Sequence, residues 1–86
     1  MKKRSTVPQG KGSRALPIIV QQDEDGFYVV ECPALRGCYT QGKTLDEALI
    51  NIQEVITMIL EDDDERENLR GWVPQTISFH TITVEL

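Results

Sequence analysis

Tyr39-Thr40-Gln41-Gly42-Lys43-Thr44-Leu45-Asp46-Glu47-Ala48-Leu49 is the stretch that decides the fold, because a strand ends and a helix begins within it. Thr44 and Glu47 have the spacing of a capping box, in which the Thr44 hydroxyl accepts from the backbone N–H of Glu47 and the Glu47 side chain reaches back. The residues before Gly42 can form a short strand. The sequence therefore predicts a helix that starts at Leu45.

The predicted helix has one apolar stripe, at positions 45, 48, 49, 52, 55, 56, 59 and 60. These positions follow a period of about 3.6 residues, so the stripe is expected to cover a sheet. Ile50 and Met58 lie off the stripe, on the face that carries Glu54 and Glu61. They are candidate contact residues, although single exposed apolar residues are also common on ordinary protein surfaces.

An acidic run, Glu61 to Glu67, follows the stripe and contains six carboxylates. Read as the C-terminal end of the helix, it opposes the helix macrodipole, so the last turn is expected to fray or to leave the sheet. The run is either a solvated helix end or an acidic lip that meets a basic partner.

Strand signals lie on both sides of the helix. Leu16, Ile18 and Val20 alternate in a first strand; Asp23-Glu24-Asp25-Gly26 is typical of a tight hairpin turn, and Phe27 to Val30 forms the second strand. Cys38 to Gln41 forms a third. Beyond the breaks at Gly71 and Pro74, Thr81 to Leu86 alternates as a final strand. These are the predicted elements.

The predicted order is β-β-β-α-β, which gives an α+β fold. It consists of a three-stranded antiparallel meander, one long helix on one face, and a last strand reached by a crossover. This order is like the start of a ribonuclease H fold. The unprotected sheet edge predicts a homodimer.

Charge is distributed unevenly along the 86 residues. Five of the nine basic residues precede every acidic one, which predicts a flexible basic tail over residues 1–14 and one folded domain over residues 15–86. After position 14, four basic residues stand against fourteen acidic ones. That part should repel nucleic acid and attract a basic protein, while contact of the basic tail with nucleic acid stays open.

Cys32, Cys38 and His80 are too few for a secreted disulfide framework or a complete zinc site. Packed reduced thiols are the favoured interpretation, and a redox pair is the alternative. No apolar run is long enough to span a bilayer, and no secretion signal follows the basic start. We therefore expect a cytoplasmic protein with no cofactor and no bound metal.

The sequence lacks the residue patterns of the common hydrolytic enzymes. A ribonuclease H-type enzyme holds metal on carboxylates that include one from the first strand, but the first strand here has none before the turn at Asp23. His80 has no evident nucleophile beside it, Ser78 has no activating pattern, and there is no glycine-rich phosphate loop. The sequence predicts that the chain is not an enzyme.

From Leu16 to about Leu60 the chain resembles the HicB-like antitoxin domain. The resemblance is carried by Asp25-Gly26-Phe27-Tyr28-Val29-Val30, by Cys32-Pro33-Ala34-Leu35-Arg36-Gly37-Cys38-Tyr39-Thr40-Gln41-Gly42, and by Thr44-Leu45-Asp46-Glu47-Ala48-Leu49 with Asn51-Ile52. It implies a degraded ribonuclease H-like domain, dimeric or tetrameric, that binds a small basic HicA toxin. Binding would cover the catalytic histidine with which the toxin cleaves messenger RNA.

Family members commonly add a C-terminal DNA-binding segment, for which a chain ending at Leu86 leaves no room, so no direct DNA binding is expected. The toxin-facing surface is predicted from the acidic helix end and the outer helix face. Its residues are Glu54, Met58, Glu61, Asp62, Asp63 and Asp64. Two alternatives stay open: a stand-alone dimeric module that has lost toxin pairing and binds another protein or ligand, and a metal-dependent nuclease.

Overall fold

A computed structural model describes residues 13–86 of the chain. The strands and helices are β1 (Ile19–Gln22), β2 (Tyr28–Glu31), β3 (Tyr39–Gly42), α1 (Leu45–Ile59) and α2 (Asp63–Arg70). The predicted α+β class, the antiparallel meander and the long helix are confirmed. Two features differ from the prediction: there is a second helix, and residues 13–86 contain no fourth strand.

The hairpin between β1 and β2 is closed by its own turn residues. The Asp23 carbonyl accepts from the N–H of Gly26 at 3.0 Å, and Gly26 has a φ of 91°, which only glycine adopts readily. In the sheet, Val20 lies opposite Val30, and Val30 lies opposite Thr40. Val30 therefore occupies the centre of the middle strand and is fully buried.

The core lies between this sheet and α1. Its buried residues are Val30, Cys32, Leu35, Cys38, Ala48 and Ile52. Three of them, Cys32, Leu35 and Cys38, come from the loop between β2 and β3. The Cys32 N–H donates to the Cys38 carbonyl at 2.9 Å, which continues the ladder of hydrogen bonds past the ends of the strands and holds this loop against the core. The predicted apolar stripe of α1 packs on this core, with Leu45 and Leu49 left partly exposed.

The junction of β3 and α1 is the tightest contact in the fold. A Cβ atom on Gly42 would lie 2.5 Å from the backbone nitrogen of Ala48, so only glycine fits there. The Thr44 hydroxyl accepts from the Glu47 N–H at 3.1 Å, as the capping box requires. The Glu47 carboxylate reaches back one residue further than in the usual box and accepts from the Lys43 N–H at 2.5 Å.

The acidic run starts a new helix, and the prediction that it would fray is wrong. Helix α1 ends at Ile59, and Asp62 then caps α2 by accepting from the N–H groups of Asp64 and Glu65 at 2.8 and 3.4 Å. Carboxylates in a first helical turn are stabilised by the macrodipole, whereas in a last turn they would be repelled. The same charges therefore favour a helix whose start they occupy.

Arg66 holds α2 against the end of α1. Its guanidinium donates to the Leu60 carbonyl at 2.5 Å and forms an ion pair with Asp63. The Leu60 carbonyl belongs to the unsatisfied C-terminal turn of α1, where a positive charge is favourable. The two helices are therefore joined by one side chain.

The predicted basic tail over residues 1–14 lies, up to residue 12, outside the described residues. Arg14 is described, and its guanidinium donates to the carbonyls of Leu69 and Arg70 at 3.0 and 3.3 Å. It also lies 5.5 Å from the ring centre of Trp72, within reach of a cation–π interaction. Arg14 thus contacts the C-terminal end of α2.

The final strand predicted over Thr81 to Leu86 is not formed within residues 13–86. A strand needs a neighbouring backbone to satisfy its N–H and C=O groups, and no such neighbour is supplied to this segment by its own described chain. The ribonuclease H-like arrangement, which needs a fourth strand in the sheet, is accordingly not seen. The alternation of apolar and polar residues was therefore not sufficient for a strand to form.

Candidate protein-binding surface

A shallow groove of about 570 Å³ runs along the outer face of α1. It is lined by Ile50, Gln53, Glu54, Thr57, Met58 and Glu61. These residues form two rows with a spacing of four, 50-54-58 and 53-57-61, which an α-helix places side by side. Ile50 and Met58 are 58% and 62% exposed, as the sequence predicted, so the groove has an apolar floor.

The structure brings together three of the six predicted site residues. Glu54, Met58 and Glu61 line this groove. Asp62 caps α2 and Asp63 pairs with Arg66, so both of these side chains have structural partners. Asp64 is exposed in the first turn of α2.

Three lining residues were missing from the predicted site, namely Ile50, Gln53 and Thr57. The helical pattern already places Ile50 and Thr57 on this outer face, and the rule that positions four apart share a face adds Gln53 beside Thr57. The groove was therefore within reach of sequence reasoning. The predicted site instead extended toward α2, because it was centred on the acidic run.

Acidic groups dominate the described surface, with fourteen Asp and Glu against five Arg and Lys over residues 13–86. Most of these cations are engaged: Arg14 and Arg66 bind helix carbonyls, and Arg70 pairs with Glu67 at 2.8 Å. The ion pairs are exposed and add little stability. Their effect is that a partner approaching α1 and α2 meets mainly negative charge.

The two cysteines are buried and unpaired. Burial raises the pKa of the Cys38 thiol to about 11, and the neighbouring Cys32 adds to the shift. A thiol with a raised pKa is protonated at neutral pH and is a poor nucleophile and a poor metal ligand. The geometry favours the interpretation that both thiols serve as small apolar groups.

The acidic hairpin turn does not look like a metal site. The Asp23 carboxylate accepts from the N–H groups of Asp25 and Phe27, both at 2.9 Å, and so stabilises the turn itself. Over residues 13–86, no group of three or more His, Cys, Asp and Glu side chains is placed to hold a metal ion.

Ser78 and His80 make a contact that the sequence analysis missed. The Ser78 hydroxyl lies 2.7 Å from His80 Nε2, and both residues are exposed. Positions two apart share a side of an extended chain, which was the available signal. Within the described part of the chain, no carboxylate hydrogen-bonds to His80.

A second groove, of about 340 Å³, lies between the start of β1 and α1. Its lining residues are Arg14, Leu16, Ile18, Leu49, Ile52, Gln53 and Ile56. Gln53 lines both grooves, so the two are neighbours along α1. This second groove is mostly aliphatic, and its one charged lining group is a cation.

Neither helix of the described residues combines the length and apolar character needed to cross a membrane.

Comparisons with known proteins give one family. The family model described as HicB_like antitoxin of bacterial toxin-antitoxin system matches residues 16–81. Among curated proteins, a UPF0150 protein of Thermoplasma acidophilum is 61% identical over 44 residues, covering 51% of this chain and 64% of that protein. A UPF0150 protein of Synechocystis is 49% identical over 45 residues, covering 52% and 65%.

A further UPF0150 protein of Synechocystis is 33% identical over 69 residues, covering 80% of this chain and 93% of its own length. The matches to the first two relatives, in contrast, cover just under two thirds of the length of those proteins. No solved structure matches the chain.

Proposed function

This chain belongs to the HicB-like antitoxin family of bacterial toxin–antitoxin systems, and we propose that it neutralises a small basic HicA-type toxin by binding over the toxin's active site. Its role is to bind and not to catalyse. Messenger RNA cleavage is the activity of the toxin, and the antitoxin prevents it by denying RNA access to the toxin's catalytic histidine.

The observation that carries this proposal is the groove on the outer face of α1. Ile50 and Met58 give it an exposed apolar floor, while Glu54 and Glu61 place carboxylates beside that floor. Apolar anchors surrounded by charge are the usual composition of a specific interface. A basic protein with an apolar side chain at the centre of its contact surface fits this arrangement.

Asp64 extends the proposed toxin-binding surface onto α2, while Asp62 and Asp63 contribute negative charge from positions that also stabilise the helix. Long-range attraction between this surface and a basic toxin would speed association and make the affinity fall with added salt. The rest of the chain supports the same reading, because the described cations near α2 are engaged with backbone carbonyls or with acids.

The direct test is binding to a purified small basic HicA-type toxin, measured by calorimetry at two salt concentrations. A triple variant, Glu54→Lys with Glu61→Lys and Asp64→Lys, reverses charge around the groove and leaves the Asp62 cap intact. We expect about 10- to 100-fold weaker binding, from three charged contacts worth up to about 1 kcal/mol each. The affinity of this variant should also depend less on salt.

The matched control reverses three exposed acids that do not line the groove, Glu24→Lys, Asp25→Lys and Glu31→Lys, and so changes net charge equally. It should bind within about threefold of the unmodified chain, because screening at physiological salt limits charge effects to about 8 Å. Equal losses in both triple variants would show that net charge alone matters. A failure of the unmodified chain to bind the toxin, or to block its RNA cleavage, would reject the proposed function.

A further inference from the structure

The C-terminal segment Thr76–Leu86 has the residue pattern of a strand, and its apolar side chains are not covered by the described part of the chain. Ile82 and Val84 are 85% and 68% exposed, and Leu86 and Phe79 are also exposed. Past Trp72, the one hydrogen bond found among the described residues joins Ser78 to His80 within the segment. A β-branched run of this kind with a single charged residue is a hazard for aggregation unless something covers it.

The same chain has an uncovered sheet edge. β1 pairs with β2 along one side, and its other side has no partner strand among the described residues. β1 reads Ile-Val-Gln-Gln and carries none of the charged residues that usually protect an edge. The opposite edge differs, because the Asn51 amide on α1 donates to the Gln41 carbonyl of β3 at 2.9 Å.

The second groove lies beside the start of this open strand. Its aliphatic lining, Leu16, Ile18, Leu49, Ile52 and Ile56, continues the core outward between β1 and α1. A strand added beside β1 would bring every second side chain toward α1 and into this groove. Ile82, Val84 and Leu86 are spaced by two and supply the apolar side chains that such a strand needs.

We propose that two copies of this chain exchange their C-terminal segments, so that Thr76–Leu86 of each copy pairs with β1 of the other and fills its second groove. One copy holds both the donor segment and the acceptor site, so a two-fold symmetric pair satisfies both segments and both grooves. This exchange specifies how the expected homodimer is built and does not depend on toxin binding.

The linker favours a second copy over the chain's own edge. Pro74 fixes its own φ and biases Val73 toward an extended conformation, and no glycine follows Gly71, so the linker favours an extended path over a tight reversal.

A basic toxin is a poor occupant of the second groove. The charged group there is the Arg14 guanidinium, which would repel a basic protein, and the acids of the chain lie elsewhere. The C-terminal segment has Glu85 as its one acidic residue and no Lys or Arg. Charge thus separates the two surfaces: the outer face of α1 suits the toxin, and the second groove suits a neutral strand.

The first measurement is the solution mass of the full chain by light scattering across a dilution series. The unmodified chain should give a dimer of twice 9.7 kDa. Val84→Asp should raise the dimer dissociation constant at least about 100-fold, because two symmetric contacts each lose a buried apolar side chain. Thr83→Asp is the matched control on the other side of the strand and should stay dimeric. A monomeric unmodified chain, or equal loss in both variants, overturns the proposal.

A cross-linking measurement separates exchange from fold-back and remains decisive if Val84→Asp fails to fold. Phe79 is replaced by a photoreactive phenylalanine analogue, and nitrogen-15-labelled chains are mixed with unlabelled ones, unfolded together and refolded. Exchange predicts cross-links from one isotope to β1 or second-groove peptides of the other. Cross-links confined to one isotope, or links to Ile50 and Met58 on the outer face, overturn the proposal. Toxin binding is scored separately, so either proposal can fail alone.

Discussion

The β3–α1 junction and the C-terminal segment carry equally clear local patterns, yet only the junction completes its structure within the described chain. At the junction, Thr44 and Glu47 satisfy backbone donors, and Gly42 meets Ala48 at close range. In the C-terminal segment, Ile82 and Val84 alternate correctly for a strand and remain exposed. The difference shows that a local pattern states what a segment can form, whereas its partners decide whether it forms.

The largest effect that would sharpen this comparison is expected from alanine at one buried and one exposed aliphatic residue. Leu35 is 4% exposed in the core and does not line the second groove, so Leu35→Ala should lower the free energy of unfolding by about 2–5 kcal/mol at every protein concentration. Ile82→Ala should have almost no effect when the chain is dilute and a growing effect as concentration rises, because its partner is a second copy.

Urea unfolding at two protein concentrations about 100-fold apart measures both variants, with the linear extrapolation applied to each. A cost of Ile82→Ala that equals that of Leu35→Ala at both concentrations would mean that the segment packs on its own chain. The comparison between the two regions would then break down.

The next effect concerns the two glycines that flank the helical part of the chain. Gly42→Ala would place a Cβ atom 2.5 Å from the Ala48 nitrogen, so β3 or α1 must move, at a cost of about 3 kcal/mol. Gly71→Ala is the matched control: the nearest atom to its Cβ is 3.8 Å away, and its φ is −88°. Its effect should stay within about 0.5 kcal/mol. Thermal unfolding followed by circular dichroism compares the two; equal shifts would show that the close contact at Gly42 is not limiting.

The parts of the fold predicted well from sequence are those specified by neighbours in sequence. The hairpin turn at Asp23–Gly26 and the start of α1 were placed correctly, because the groups that satisfy each turn lie within four residues. The second helix was missed, although Asp62 and Glu65 repeat the spacing of Thr44 and Glu47. Counting the run as a helix end hid a cap that the same rule would have found.

Features that depend on distant residues could not be predicted. Arg14 reaches the end of α2 across 55 positions of sequence, and no local pattern indicates that contact. The candidate site divides in the same way: helical spacing predicted that Ile50 and Met58 would be exposed, whereas the groove beside β1 required the sheet edge and the helix to be placed in space. The chemistry of the partner is harder still to predict from this sequence, because it depends on the surface of a second protein.

The smallest expected effect comes from removing a threonine hydroxyl. Thr44 has a hydrogen-bond partner for its hydroxyl, whereas Thr83 has none among the described residues. Thr44→Ala removes the acceptor for the Glu47 N–H and should cost about 1 kcal/mol, which lowers Tm by about 4–8 °C in a domain of this size. Thr44→Ser keeps the hydroxyl and should restore most of the loss. Thr83→Ala, in the C-terminal segment, removes a hydroxyl that is exposed and should shift Tm by less than about 3 °C. Equal losses from Thr44→Ala and Thr44→Ser would show that the methyl group and its packing, not the cap, stabilise the start of α1, and that the junction depends on close packing alone.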